Sequence, residues 1–127
     1  MDESEQLMYG TQNYQNIKYT ENPSEQTQIE LVKNDGYIVQ VIKNPSEQVQ
    51  FEAVKYDGRT IKYIKNPSEH VQLHAVNEYG RSIQYIDNPS EQVQLEAVNG
   101  QRSVIKYIKN PSEQIQLEAV KPNDIYL

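Results

Sequence analysis

The sequence predicts an all-α fold, a right-handed α-solenoid of five two-helix repeats of 22 residues behind a degenerate N-terminal cap. The tetrapeptide Asn-Pro-Ser-Glu starts at Asn22, Asn44, Asn66, Asn88 and Asn110, with no insertion between copies. A fixed period in this range marks units that bury an apolar face only by stacking on one another. Behind each tetrapeptide the apolar residues fall at helical spacing, as in Val49, Ala53 and Val54, on one side of a 3.6-residue helix. A glycine at the fifteenth position (Gly36, Gly58, Gly80) then divides the copy in two.

The elements follow in order. Asn at position one is a favoured N-cap, Pro suits N1, where its missing N–H costs nothing, and Glu at N3 can close a capping box. A helix of about eleven residues then runs to the glycine, read as a left-handed C′ residue. Some seven residues remain before the next Asn, such as residues 59–65, and a second helix of about two turns fits them if packing holds it. A strand fits less well, because Ile61 and Ile64 meet at i,i+3 and the apolar residues do not alternate.

Two copies depart from this pattern. The early Gly100 should end the fourth copy's first helix sooner, and Pro122 after Lys121 should close the fifth copy abruptly. The chain is therefore one domain: residues 1–21 a degraded copy serving as N-terminal cap, 22–43, 44–65, 66–87 and 88–109 complete repeats, and 110–127 a truncated one.

Composition narrows the function. With no cysteine, disulfides, thiolate metal sites and a cysteine nucleophile are excluded. No apolar run is long enough to span a bilayer, and the acidic start Met1-Asp2-Glu3-Ser4-Glu5 is unlike a signal peptide. A soluble, cytoplasmic protein with no membrane partner is expected. The net charge of −6 argues against nucleic acid as a partner, since that affinity comes from Lys and Arg neutralising phosphates.

Asn44-Pro45-Ser46-Glu47, residues 49–55 (Val-Gln-Phe-Glu-Ala-Val-Lys), Gly58 and Ile61-Lys62-Tyr63-Ile64, with their equivalents in the other copies, resemble a family of short two-helix repeats of unknown function found in phage, large-virus and bacterial proteins. The resemblance spans roughly residues 22–120. It implies an α-solenoid loosely similar to HEAT and armadillo repeats and carriage on mobile elements, which would place the protein in a host cytoplasm. It implies no chemistry.

Several constellations are candidates for function. Gln28, Gln50, Gln72, Gln94 and Gln116 fall at a core-facing angle and are expected to hydrogen-bond backbone groups of the turns, or else to pack their stems half-exposed. Glu30, Glu52, Glu96 and Glu118 should form a solvent-facing column with rungs about 10 Å apart. Phosphates along one DNA strand lie only about 6–7 Å apart, so a DNA mimic would be out of register. His70 and His74, at i,i+4, lack a third ligand and read as solvated decoration, so no metal or other cofactor is expected. The five serines of the tetrapeptide sit in rows, whereas catalysis needs unlike groups converging in a pocket; an enzyme is not expected.

The best binding candidate is the second-helix column: Tyr63, Tyr85 and Tyr107, flanked by Lys62, Gln84 and Lys106. Rigid aromatics beside charges are what protein interfaces favour, although packing between short helices would use the same tyrosines. The expected function is a non-enzymatic protein-binding module, by resemblance a phage or mobile-element inhibitor of a host defence enzyme. The alternatives are an acidic DNA-mimic inhibitor and a structural, self-assembling spacer. Ile125, Tyr126 and Leu127 add apolar surface at the C-terminal tip and are expected to mediate a homodimer.

Overall fold

The computed structural model describes residues 23–121. The expected N-terminal cap, residues 1–21, the break at Pro122 and the dimer contact of Ile125, Tyr126 and Leu127 lie outside the described residues. Within them five α-helices alternate with four 3-10 helices: α1 (Glu25–Asn34), η1 (Gly36–Val41), α2 (Glu47–Tyr56), η2 (Gly58–Tyr63), α3 (Glu69–Glu78), η3 (Gly80–Tyr85), α4 (Glu91–Gly100), η4 (Arg102–Tyr107) and α5 (Glu113–Ala119). Each α-helix packs on the next α-helix and each 3-10 helix on the next 3-10 helix, so the fold is an all-α stack of like units. The core between the two rows is aliphatic, with Val49, Ala53, Val54, Val71, Ala75, Val76, Val93, Ala97 and Val98 fully buried.

The helix start differs from expectation. Ser, not Asn, is the N-cap: Ser46 Oγ accepts the Val49 N–H at 3.2 Å, and Ser24, Ser68, Ser90 and Ser112 act alike. Asn44, Asn66, Asn88 and Asn110 instead adopt left-handed backbone with φ between 50° and 53°. The following proline bars the right-handed helical region, and Asn is among the few residues that enter the left-handed one cheaply. The glutamate moved to N1 by this shift closes no capping box. Its carboxylate reaches the next copy, accepting Oγ–H from Ser68 to Glu47 at 2.6 Å, Ser90 to Glu69 at 2.8 Å and Ser112 to Glu91 at 2.8 Å.

The second elements are 3-10 helices of six residues, not two-turn α-helices. Their i→i+3 bonds include Thr60 N–H to Asp57 O at 2.9 Å and Ile64 N–H to Ile61 O at 3.0 Å. Geometry explains this: a ten-residue α-helix is about 15 Å long, and six residues return about 12 Å at the 3-10 rise but only 9 Å at the α rise. The glycines are not left-handed C′ residues either, since no described glycine has positive φ. Each begins a 3-10 helix at a point of close approach, where a Cβ on Gly36, Gly58 or Gly80 would meet the carbonyl oxygen of Ala53, Ala75 or Ala97 at 2.8, 2.6 or 3.3 Å. Gly100 breaks nothing. It is the last residue of α4, a helix of the same ten residues as α1 to α3, because the copy ends on an extended cap, Gln101, that needs no glycine.

The glutamine row is hydrogen-bonded to the turns. Gln28, Gln50, Gln72, Gln94 and Gln116 donate Nε2–H to the carbonyls of Pro23, Pro45, Pro67, Pro89 and Pro111 at 2.9–3.0 Å. Each bond ties α-helix to preceding turn within one copy, at the half-buried or exposed margin of the core.

Candidate functional site

The 3-10 row presents the tyrosines of the sequence argument on its outer edge. Tyr63 and Tyr85 are exposed, at 39% and 41%, and Tyr107 is half-buried. Lys62, Gln84 and Lys106 are exposed beside them. A 3-10 helix repeats every three residues, so with Ile61 and Ile64 turned into the core the two residues between them must face outward. This places Lys62 Nζ 5.0 Å from the Tyr63 ring centre and 5.9 Å from that of Tyr85 in the next copy. Lys106 Nζ lies 5.3 Å from the Tyr107 ring. Such cation–ring contacts fix lysines that would otherwise sample many rotamers.

Residues outside the sequence-derived set complete this edge. Arg81 donates Nη2–H to Tyr107 Oη at 3.0 Å and lies 5.9 Å from its ring; that hydrogen bond lowers the Tyr107 phenol below its ordinary pKa and raises the arginine. Arg59 pairs with Asp57 through Nε at 3.0 Å and Nη2 at 2.7 Å, and its guanidinium lies 5.4 Å from the Tyr79 ring. Tyr37 Oη donates to Asp57 at 2.8 Å, and its ring meets Tyr56 and Tyr63 edge-on at 6.4 and 6.2 Å. The signal available in the sequence was position sixteen, Tyr37, Arg59 and Arg81. The first two reach twenty residues ahead, onto position fourteen of the next copy, Tyr37 onto Asp57 and Arg59 onto Tyr79, whereas Arg81 reaches Tyr107.

Between the second and third copies the edge opens into a cleft of about 440 Å³ lined by Lys62, Lys65, Asn66, Gln72, Tyr85 and Asp87.

The α-helical face carries the other expected features, with two corrections. Glu52 does not point to solvent: it is buried, accepting from Gln48 Nε2 at 3.2 Å beside Lys55 at 4.0 Å. Glu96 and Glu118 are half-buried, Glu30 is exposed and His74 interrupts the column. Of the histidines, His70 is exposed as expected, whereas His74 is half-buried rather than solvated decoration. His70 stacks on Phe51 with ring centres 4.7 Å apart and planes 7° from parallel, and His74 tilts against the same ring at 4.9 Å. Phe51 is larger than the Ile29, Leu73, Leu95 and Leu117 of the other copies, and the two imidazoles pack on it. Among the described residues no three His, Cys, Asp or Glu side chains are grouped to hold a metal, and no helix is long and apolar enough to cross a membrane.

No protein-family model, curated protein or solved structure matches this chain.

Proposed function

We propose that the chain is a right-handed α-solenoid of five 22-residue repeats working as a non-enzymatic protein-binding module, which docks a partner protein along the outer edge of its 3-10 row. The observation that carries this reading is Lys62, held between the rings of Tyr63 and Tyr85 from consecutive copies, in a row continued by Arg81 and Lys106 at Tyr107. Exposed aromatics braced by cations bind protein with little loss of side-chain freedom. A stack of like units offers them as one extended surface. The resemblance to repeats carried on mobile elements adds a role for such a module, inhibition of a host enzyme in the cytoplasm.

The test is a photo-crosslinking side chain placed at Gln84, between Lys62 and Tyr107 along the edge, or at Gln92 on the α-helical face. Irradiation in the native host should give a protein adduct from position 84 that disappears when Tyr85→Ala is added. Adducts from position 92 alone would place the binding face on the α-helices instead.

A further inference from the structure

The net charge conceals a partition between the two rows. The α-helices carry ten glutamates against Lys33 and Lys55, whereas the 3-10 helices and their flanking turns carry eight lysines and arginines against Asp35, Asp57 and Asp87. An acidic protein thus presents one basic edge, and the exposed tyrosines lie on that edge.

We infer that the 3-10 edge binds an acidic segment of a partner protein in extended conformation, a proposal resting on the docking edge described above. Electrostatic complementarity selects such a segment, because the α-helical face repels it and the edge attracts it. Spacing supports an extended chain of polyproline II type: packed helices stand about 10 Å apart, and such a peptide advances about 3.1 Å per residue with three residues per turn, so every third side chain meets a new copy from the same side. The cleft beside Lys62 and Lys65, about 440 Å³, accommodates one side chain of that series. Its wall also carries the Asn66 amide, the Gln72 amide that already bonds Pro67, and Asp87, and the two lysines are the cations a carboxylate would meet there.

Single-stranded nucleic acid is also an extended polyanion, and platforms for it combine cations with tyrosines. Two observations favour a peptide. Bases need open ring faces to stack on, but the cations of Lys62, Arg81 and Lys106 stand against Tyr63, Tyr85 and Tyr107. Asp57 and Asp87 also interrupt the row where a phosphate chain would pass, whereas a peptide can place a neutral residue there.

The probe is a fluorescent oligoglutamate of about twelve residues, long enough to cross four copies, with oligolysine and oligothymidylate of equal length as comparisons. Anisotropy should show the glutamate peptide binding at low salt and at least tenfold weaker binding after Lys62→Glu with Lys106→Glu. Lys33→Glu with Lys55→Glu on the α-helices should leave it unchanged. Circular dichroism of each variant should match the wild type, as these substitutions are at exposed positions. Equal binding of oligothymidylate, insensitivity to the Lys62 and Lys106 pair, or no binding of oligoglutamate would each overturn the proposal. A protein adduct at position 84 without oligoglutamate binding would retain the docking edge and reject its acidic ligand; loss of both would reject both.

Discussion

A Cβ built on Gly58 would stand 2.6 Å from the carbonyl oxygen of Ala75, one copy ahead. Glycine at position fifteen and alanine at position ten are therefore a pair. Together they let the starts of η1, η2 and η3 approach the α-helix of the next copy, and the stack has little slack there, because the atom met is backbone. Gly58→Ala should destabilise the fold by about 1–3 kcal/mol, as overpacking does. Gly100 has nothing within 4 Å of its Cβ position and no positive φ, so Gly100→Ala should be neutral or stabilising by up to about 1 kcal/mol. Urea melts of the two variants check the contrast, and equal destabilisation would contradict it.

Ser90 has two partners: its Oγ accepts the Val93 N–H at 3.2 Å and donates to Glu69 of the preceding copy at 2.8 Å. The first bond satisfies one of the N–H groups a helix start leaves open; the second is an exposed bond between side chains. Ser90→Ala should therefore cost about 1 kcal/mol, the ordinary loss of an N-cap, and Glu69→Ala less than about 0.5 kcal/mol. If Glu69→Ala costs as much as Ser90→Ala in denaturant melts, the inter-copy bond outweighs the cap.

The stack, its period and its apolar faces were legible because a residue kept at one position of every copy reports its surroundings five times over. The caps were not. In Asn-Pro-Ser-Glu local preference puts Asn at N-cap and Pro at N1, and nothing local contradicts that reading. What decides is the turn out of the preceding 3-10 helix, which needs a left-handed residue before the proline and leaves the cap to Ser46. The 3-10 helices stayed hidden for a related reason: Ile61 and Ile64 at i,i+3 fit an α-helix and a 3-10 helix equally, and only the length of the neighbouring helix chooses between them. At the 3-10 edge the tyrosines and lysines were visible, but Arg81 meeting Tyr107 depends on the lateral offset of successive copies, which one copy does not encode.

Gln72 and Glu96 lie one copy apart, at positions seven and nine of the repeat, and have unequal roles. Gln72 ties α3 to the Pro67 carbonyl at 2.9 Å, whereas Glu96 lines a shallow surface depression with Phe51, His70 and His74. Gln72→Ala should cost about 1 kcal/mol, the net worth of one intramolecular hydrogen bond. Glu96→Ala should stay within about 0.5 kcal/mol. Thermal melts of both, referred to one wild-type baseline, decide it, and reversed magnitudes would mean that the glutamine bond is dispensable.

Asp57 gathers the densest polar contacts on the 3-10 edge, accepting from the Arg59 side chain, from the Arg59 backbone N–H at 2.9 Å and from Tyr37 Oη at 2.8 Å. The Arg59 side-chain hydrogen bonds hold its carboxyl at about 2, below the usual carboxylate range. The folded state therefore favours the ionised form, and the unfolded state binds the proton first. This contribution is complete above about pH 4 and is lost as the pH falls through about 2. Half-exposed Arg59 lets solvent screen the pair, so the contribution should amount to about 1 kcal/mol. The stability gap between wild type and Asp57→Asn should accordingly be widest above pH 4 and narrow towards pH 2. Tyr37 supplies a second readout, since burial and then the bond to Asp57 raise its phenol above the ordinary value. In Asp57→Asn the anion is gone while the burial remains, so Tyr37 should ionise at lower pH than in the wild type, though still above an exposed tyrosine. Ultraviolet titration of Tyr37 against a Tyr37→Phe control measures this, and an unchanged midpoint would show that Asp57 does not hold the phenol proton.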